Sequence, residues 1–241
     1  ATLKTYAGPA FGSLPVQAVD TGLVMKVLEP IWSEKTETAT RVRGRIESVL
    51  DWATTRGHRQ GENPARWRGH LENLLPGPAK VSSVTHHAAL PYAEVGAFME
   101  ALEGQDGVAG EALAFLILTA TRTSETLGAT WDEIDMDKRV WSIPAGRIKA
   151  GREHRVPLSP PSMRILRKRL KERLNNFVFP GGRPDQPLSN MALLAVLRRM
   201  KRYGITTHGF RSSFRDWCAE QTAYPREVAE MALAHAISDK V

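Results

Sequence analysis

The sequence has 241 residues, of which 42% are hydrophobic and 24% charged, and it contains a single cysteine. This length suggests one large or two modest domains, and the composition argues against a wholly disordered chain. A lone cysteine, Cys218, excludes an internal disulfide and a cysteine-rich zinc module. The most apolar run, residues 112–120, is too short to span a bilayer, and no signal peptide opens the chain. We therefore expect a cytoplasmic protein and, because the chain does not begin with Met, a piece of a longer one.

The formal net charge of +7 is unevenly distributed along the chain. Residues 81–137 hold 1 basic and 10 acidic side chains, whereas residues 138–215 hold 19 basic and 3 acidic ones. Hydrophobic residues recur through the basic block, so it belongs to a folded surface rather than a charged tail. Such a surface favours a polyanion, most simply nucleic acid, over the alternative of an ordinary solvated basic face.

The first third of the chain has helical periodicity. The spacing predicts helices over residues 20–32, capped by Asp20, and over residues 38–56. A shorter helix is predicted near residues 64–74. Pro76-Gly77-Pro78 opens the best linker candidate and places a boundary at about 76–88. The predicted organisation is a helical domain at 1–78 with a truncated start, a linker at 79–90 and a second domain at 91–241.

The second domain is predicted to be helical around one small sheet. Helices are expected from Pro91 and over about 109–120. Two strands near residues 140–143 and 156–158 flank a turn at 150–151. The fold class is therefore mainly α with a small antiparallel β-sheet. Further helices are predicted to begin at Ser159, with Met163, Leu166 and Leu170 inward, to begin at Ser189, and to cover residues 207–222 and 225–235.

Several polar segments carry the residue types that phosphoryl transfer without a metal needs. Such a reaction requires fixed cations around the phosphate and an acid for the leaving oxygen, roles that suit Arg and Lys. Arg122 is the only basic residue of the acidic block, and Glu125 follows three residues later. Arg122 is either a buried ion-pair partner or a phosphate ligand, and Glu125 can hold it in both cases.

Lys149 lies beside the predicted hairpin turn, among three arginines. Hairpin tips with clustered cations suit a nucleic acid backbone, and the alternative is a solvated turn. The neighbouring cations, which we assign to DNA binding, are Arg147, Arg152 and Arg155.

His208 and Arg211 share one face at the positive end of a predicted helix, where a phosphate is favoured. Arg215 lies on the same side and adds a further charge, whereas an ordinary cationic helix face is the alternative. Phe210, Phe214 and Trp217 are expected to face the core of the domain. His235 follows an apolar helix, and by itself it is more often a helix-end histidine than a ligand.

Taken together, these residues occur in an order that resembles the tyrosine recombinase family. The order is an Arg with a nearby Glu, a hairpin Lys, His-x-x-Arg and a final His. The resemblance covers essentially the whole chain and is greatest to the integrases of prophages and genomic islands. It is carried by Leu-Thr-Ala-Thr-Arg-Thr-Ser-Glu, Lys-Ala-Gly-Arg-Glu-His-Arg-Val-Pro-Leu-Ser and Thr-His-Gly-Phe-Arg-Ser-Ser-Phe-Arg-Asp-Trp.

The resemblance implies a SAM-like helical core-binding domain followed by a catalytic domain with the DNA breaking-rejoining fold. In this family a tyrosine attacks the scissile phosphate, forms a 3′-phosphotyrosyl link and releases a 5′-hydroxyl, with no metal or cofactor. By position, Arg122 and Arg211 would clamp the phosphate, and Glu125 would orient Arg122. Lys149 would protonate the leaving oxygen. His208 would assist proton transfer, His235 would bond the phosphate or position the nucleophile, and Arg41, Arg43 and Arg45 of the second helix would face DNA.

The sequence departs from the family pattern at the nucleophile. The family expects a tyrosine roughly ten residues after the last His, and the sequence ends six residues after His235. The tyrosines present are Tyr6, Tyr92, Tyr203 and Tyr224, and Tyr224 precedes His235. The expectation is therefore a fragment that binds but does not cleave DNA, lacking an arm-binding domain at its start and the nucleophile segment at its end.

The resemblance also implies partners. These are double-stranded attachment sites on the bacterial nucleoid, three further protomers in a synaptic tetramer, and accessory DNA-bending or directionality factors. A type IB topoisomerase, which relaxes supercoils as a monomer, is one alternative. The other is a noncatalytic DNA-binding regulator on the same scaffold.

Overall fold

The computed structural model describes residues 2–81 and 88–235. The chain divides into two compact units, residues 1–85 and 86–241. Half of the linker predicted at 79–90 lies outside the described residues, and its first residues belong to a short helix, Pro78–Val81. Within the two described ranges, every helix is too short or too polar to cross a membrane.

The first unit has helices and no strand within residues 2–81, and it is built on two packed helices. Asp20 caps the first of them, since its side chain accepts a hydrogen bond from the Leu23 N–H at 2.8 Å, as predicted. Val24, Leu28 and Val42 are fully buried between the two helices. The helices of this unit are α1 (Thr2–Tyr6), α2 (Gly8–Phe11), α3 (Thr21–Trp32), α4 (Thr36–Thr55) and α5 (Pro78–Val81).

The helix predicted near residues 64–74 is wrong. The structure has only a single 3-10 turn there, Leu71–Asn73. Asn63 explains the difference, because its side chain accepts from the Ala65 N–H at 2.9 Å and donates to the Glu47 carbonyl at 2.8 Å. Local side-chain hydrogen bonds of this kind favour turns over helices.

In residues 88–235, the described part of the second unit, seven helices pack around a three-stranded antiparallel sheet. The sheet order is β1-β2-β3, and Trp141 pairs with Val156 while Ile143 pairs with His154. Strand β2 coincides with the predicted strand, β3 begins two residues before the prediction, and β1 was not predicted. The elements are α6 (Val95–Glu103), α7 (Val108–Thr119), α8 (Thr123–Leu127), β1 (Ile134–Asp135), β2 (Val140–Ile143), β3 (His154–Pro157), α9 (Pro160–Lys171), α10 (Ala192–Arg199), α11 (Gly209–Gln221) and α12 (Arg226–Ala232).

Helix α7 forms the centre of the second unit. Phe115 is fully buried, and its ring lies 5.4 Å from the rings of both Trp141 and Phe179. This packing fixes the C-terminal end of α7, from which the chain continues into the candidate site. Two predictions about inward residues are wrong, since Leu170 is 42% and Trp217 is 44% exposed.

Candidate active site

Arg122 lies in the short connection that follows the end of α7. Ala120 terminates the helix in the left-handed region, with φ 51°, and this reverses the direction of the chain. The Thr121 hydroxyl then lies within hydrogen-bond distance of the hydroxyls of Thr119, at 2.9 Å, and Thr126, at 2.8 Å. A buried hydroxyl network therefore joins α7 to α8 and fixes the backbone on which Arg122 stands.

The Glu125 carboxylate binds Arg122 at two points. This buried group, which is 2% exposed, accepts from the Arg122 guanidinium at 2.7 Å and from the Arg122 backbone N–H at 2.8 Å. Two contacts on one residue fix both its position and its orientation. The guanidinium is 20% exposed, so the pairing leaves part of it open to solvent.

Arg211 is a buried cation held mainly by backbone oxygens. Nη1 donates to the Ala120 carbonyl at 2.5 Å, and Nη2 donates to the Leu233 carbonyl at 2.6 Å. Burial, together with the neighbouring positive charge of Arg122, lowers the pKa of Arg211 to about 10. The side chain is therefore still protonated at neutral pH, and two arginine charges lie close together at one site.

His235 completes this cluster through Arg211. The Arg211 Nη2 atom lies 3.1 Å from His235 Nε2. A guanidinium only donates, so Nε2 must accept and Nδ1 carries the proton that it donates to Glu230 at 2.5 Å. That hydrogen bond lowers the pKa of Glu230. The two contacts hold the imidazole between Arg211 and Glu230.

His208 lies across an open cleft from Arg122. The cleft has a volume of about 470 Å³ and is lined by both residues together with Ser124 and Thr207. Gly209 follows His208, and a Cβ atom at that position would collide with the Ala88 carbonyl. Glycine is thus required for the start of α11 to pack closely enough to present His208 to the cleft.

The β2–β3 connection carries Lys149 in a turn in which the Gly151 N–H bonds the Ile148 carbonyl at 2.9 Å. Lys149 is exposed, as are Arg152 and Arg155. Arg147 is different, because its guanidinium binds the Glu133 carboxylate and donates to the Glu125 carbonyl at 2.5 Å. These donor groups of Arg147 are thus used inside the unit, and its assignment to DNA binding stays a prediction.

One of the three arginines of α4 in the first unit is likewise bonded within its own unit. Arg43 is 14% exposed, pairs with Glu47 at 2.7 Å and donates to the Ala65 carbonyl at 2.8 Å. Arg45 is exposed, and Arg41 is exposed in a solvated pair with Glu37. Arg215 on α11 is exposed as well. These three residues, unlike Arg43, present their charges to solvent.

Sequence reasoning did not identify two residues of the site. His154, the first residue of β3, is hydrogen bonded to the backbone of Ala232 and lies near the charges of Glu125, Arg211 and Arg122. The second is Glu230, which holds His235. A signal for His154 existed, because it lies two residues before Val156 and therefore on the buried face of the strand.

No tyrosine of the chain lines the cleft that holds Arg122 and His208. Tyr203 and Tyr224 are 76% and 70% exposed. The Tyr92 hydroxyl donates to Glu220 at 2.8 Å and accepts from Gln221 at 3.1 Å. Within residues 2–81 and 88–235, no three His, Cys, Asp or Glu side chains converge as a metal site would require.

Family models match both units. A model described as phage integrase central domain matches residues 1–70, and one described as phage integrase family matches residues 89–240. Prophage integrase IntZ of Escherichia coli K12 is 31% identical over 230 residues, which is 94% of this chain and 55% of the relative. Prophage integrase IntA of the same strain is 37% identical over 130 residues, covering 52% of this chain and 31% of the relative. The chain spans about half the length of curated relatives such as IntZ and the phage P4 integrase.

Solved structures give the same result for the fold. The Tn1549 transposon integrase in complex with a circular intermediate DNA superposes with a TM-score of 0.74 at 14% identity, over 98% of this chain and 84% of that one. A lambda integrase tetramer bound to a Holliday junction gives 0.70 at 18% identity, over 98% and 70%. The mainly helical architecture with a small antiparallel sheet is therefore that of the tyrosine recombinases, and the chain belongs to the phage integrase family.

Proposed function

We propose that this chain is the DNA-cleaving and rejoining core of a site-specific recombinase that integrates and excises a mobile element. The observation that carries the proposal is the pair of cations Arg122 and Arg211. Their mutual repulsion is unfavourable in a partly buried site, and the repulsion contributes to the lowered pKa of Arg211. Arg122 lines an open cleft, and the buried charge of Arg211 lies close to it, so the positive potential of the pair favours an anion such as a phosphodiester.

Each side chain then has a role in cleavage. Arg122, oriented by Glu125, and Arg211 bind the nonbridging oxygens of the scissile phosphate and stabilise the charge of the transition state. His208, across the cleft from Arg122, assists proton transfer and phosphate binding. His235, held by Glu230, binds the phosphate or positions the nucleophile. Lys149 protonates the leaving 5′ oxygen.

The nucleophile in this proposal is a tyrosine that follows Val241 in a longer protein. The placement of the chain's own tyrosines supports this, since none of them lines the cleft with Arg122 and His208. The exposed arginines Arg41, Arg45, Arg152, Arg155 and Arg215 contact the DNA backbone. Assembly as a tetramer on paired attachment sites is proposed by analogy with the lambda integrase tetramer bound to a Holliday junction.

The test uses the protein at the length of its curated relatives and a nicked suicide substrate that carries its attachment site. We expect a covalent protein–DNA adduct that protease digestion reduces to a phosphotyrosyl peptide. Replacing the clamp, Arg211→Ala, should lower the rate of adduct formation by about a hundredfold or more. Arg173→Ala is a suitable control because this exposed arginine bonds the Asn175 carbonyl in the α9 loop and has no proposed role.

Other outcomes would contradict the proposal in distinct ways. Site-dependent DNA binding without any adduct from the long protein would indicate a noncatalytic regulator. An adduct accompanied by relaxation of supercoiled DNA by monomers, without pairing of two sites, would indicate a topoisomerase.

A further inference from the structure

The turn that carries Lys149 lies within a ten-residue connection, residues 144–153, between two short strands. Lys149 is exposed, and its side chain has four rotatable bonds. The position of its ammonium group therefore depends on how firmly the backbone of the turn is held. Ile148, which is buried, anchors the residue immediately before it. General acid catalysis requires the donor within hydrogen-bond reach of the leaving atom, so the attachment of this turn matters for the reaction.

Arg147 attaches the turn to the helix that presents Arg122. One guanidinium nitrogen binds both oxygens of the largely buried Glu133 carboxylate, one of them at 2.6 Å. The other nitrogen donates to the Glu125 carbonyl at 2.5 Å. Gly128 makes room for this contact, because a Cβ there would lie 2.9 Å from Arg147 Nη2. Glu125 thus holds Arg122 with its carboxylate and Arg147 with its carbonyl.

His154 attaches the other end of the connection. It pairs with the fully buried Ile143 and, by strand alternation, lies on the same sheet face as Val156. Its imidazole is half-buried and bonds the backbone of Ala232 at the end of α12. The next residue, Leu233, accepts from Arg211. The connection is therefore bound at one end to the Arg122 helix and at the other end to the segment that holds Arg211.

We propose that Arg147 and His154 are positioning residues that hold the Lys149 turn against the two arginines of the phosphate clamp. The proposal rests on the proposed function and assigns to these two residues the placement of the general acid. In cleavage, the phenolic proton of the tyrosine passes to His208, the tyrosine oxygen forms a bond to phosphorus, and the bond from phosphorus to O5′ breaks. O5′ takes a proton from the Lys149 ammonium, which becomes a neutral amine. Loss of either attachment lets the ammonium drift from O5′ without changing the clamp.

This role can be distinguished from a DNA contact and from general destabilisation by a substrate that needs no acid. A 5′-bridging phosphorothiolate replaces O5′ with sulfur, which leaves as a thiolate without a proton because a thiol is far more acidic than an alcohol. The long protein is given oxygen and sulfur suicide substrates at saturating concentration, and single-turnover rates are compared for Lys149→Ala, Arg147→Met, His154→Leu and Arg211→Ala.

We expect Lys149→Ala to slow cleavage of the oxygen substrate by about a hundredfold, the usual size of a general acid effect. Arg147→Met and His154→Leu should each slow it by about tenfold or more, since a misplaced acid retains part of the effect. All three should cleave the sulfur substrate at close to the wild-type rate. Arg211→Ala should remain slow on both substrates, because sulfur does not replace the clamp.

Arg147→Lys and Glu133→Gln serve as milder changes should Arg147→Met fail to fold. Each variant retains part of the attachment, so each should slow cleavage of the oxygen substrate by a smaller factor. Each should cleave the sulfur substrate at close to the wild-type rate. Arg152→Met is the matched control for a DNA contact. It should weaken DNA binding and its salt dependence with no preference for the sulfur substrate, whereas Arg147→Met should leave DNA affinity unchanged.

Equal losses on both substrates for Arg147→Met and His154→Leu, or no loss on either, would overturn the positioning role while wild-type cleavage preserved the proposed function. If Arg147→Met lowered DNA affinity as much as Arg152→Met does, Arg147 would be a DNA contact. Absence of wild-type cleavage on both substrates would overturn the proposed function and, with it, this inference.

Discussion

His154 is a titratable side chain whose surroundings disfavour its protonated form. Burial lowers the pKa of His154 below its usual value of 6.5, and the nearby charges of Arg211 and Arg122 act in the same direction. Glu125 and the backbone of Ala232 oppose the shift without cancelling it. The imidazole is therefore neutral at pH 7 and bonds the end of α12 without adding a third cation to the cluster.

This shift predicts a pH dependence of stability. The folded pKa lies below the unfolded one, so the unfolded chain takes up the proton first as the pH falls. The contribution of His154 to stability is therefore complete above pH 6.5 and is lost on acidification through the folded pKa. Urea unfolding at pH 7.5 and 5.5 should show a larger loss of unfolding free energy for the wild type than for His154→Gln. Equal losses in the two proteins would contradict the burial of this histidine.

At this scale, sequence reasoning identified Arg122 with Glu125, because a pair three residues apart in a helix is local. It did not predict the internal partner of Arg147, because Glu133 is 14 residues away in the sequence. When the sequence does not reveal such a distant partner, a cation at a hairpin is predicted to be solvated. The internal hydrogen bond of Arg43 was not predicted for the same reason, since the Ala65 carbonyl that it bonds lies 22 residues later.

At the scale of elements, α7 and α9 are joined by an ion-pair cluster that lies away from the candidate site. Arg169 is 5% exposed, binds Glu111 at 3.1 Å and binds Glu172 at 2.6 Å. Lys168 binds the same Glu111 at 2.6 Å but is 62% exposed. The two cations thus share one carboxylate and differ mainly in burial.

This difference gives a matched pair of substitutions. Arg169→Ala removes the buried cation that binds both Glu111 and Glu172. The substitution leaves Glu111 with Lys168 alone and should lower the free energy of unfolding by about 2 kcal/mol. Lys168→Ala removes a solvated pair and should cost less than about 1 kcal/mol. Urea unfolding followed by circular dichroism measures both. Similar costs for the two variants would show that burial does not determine the strength of this cluster.

The helices and strands with a clear hydrophobic period were predictable. Helices α3 and α4 and strands β2 and β3 lie close to their predicted ranges, because each repeats apolar residues at its own period. Helix α7 also lies close to its predicted range, because it is a long, nearly continuous apolar run. Helix α8, with five residues, and β1, with two, are too short to have a period. They are fixed by hydroxyl contacts and by pairing with β2, which are tertiary interactions.

For the whole chain, the placement of charge determines how it should bind DNA. Exposed arginines occur in both units, Arg45 in the first and Arg152, Arg155 and Arg215 in the second. Each arginine that contacts a phosphate releases counterions from the DNA, so affinity falls as the salt concentration rises. The slope of log affinity against log salt therefore counts the phosphate contacts, independently of whether the chain cleaves DNA.

The chain as given should bind duplex DNA with a steep salt slope. Arg45→Met should flatten that slope by about 0.9, the value for one phosphate contact. Arg43→Met is the matched control on the same helix, and because its guanidinium is held by Glu47 and the Ala65 carbonyl, it should leave the slope unchanged. Fluorescence anisotropy across a salt series measures all three proteins. A flat slope for the wild type would refute the DNA surface, and equal slopes for the two variants would refute the distinction drawn between these arginines.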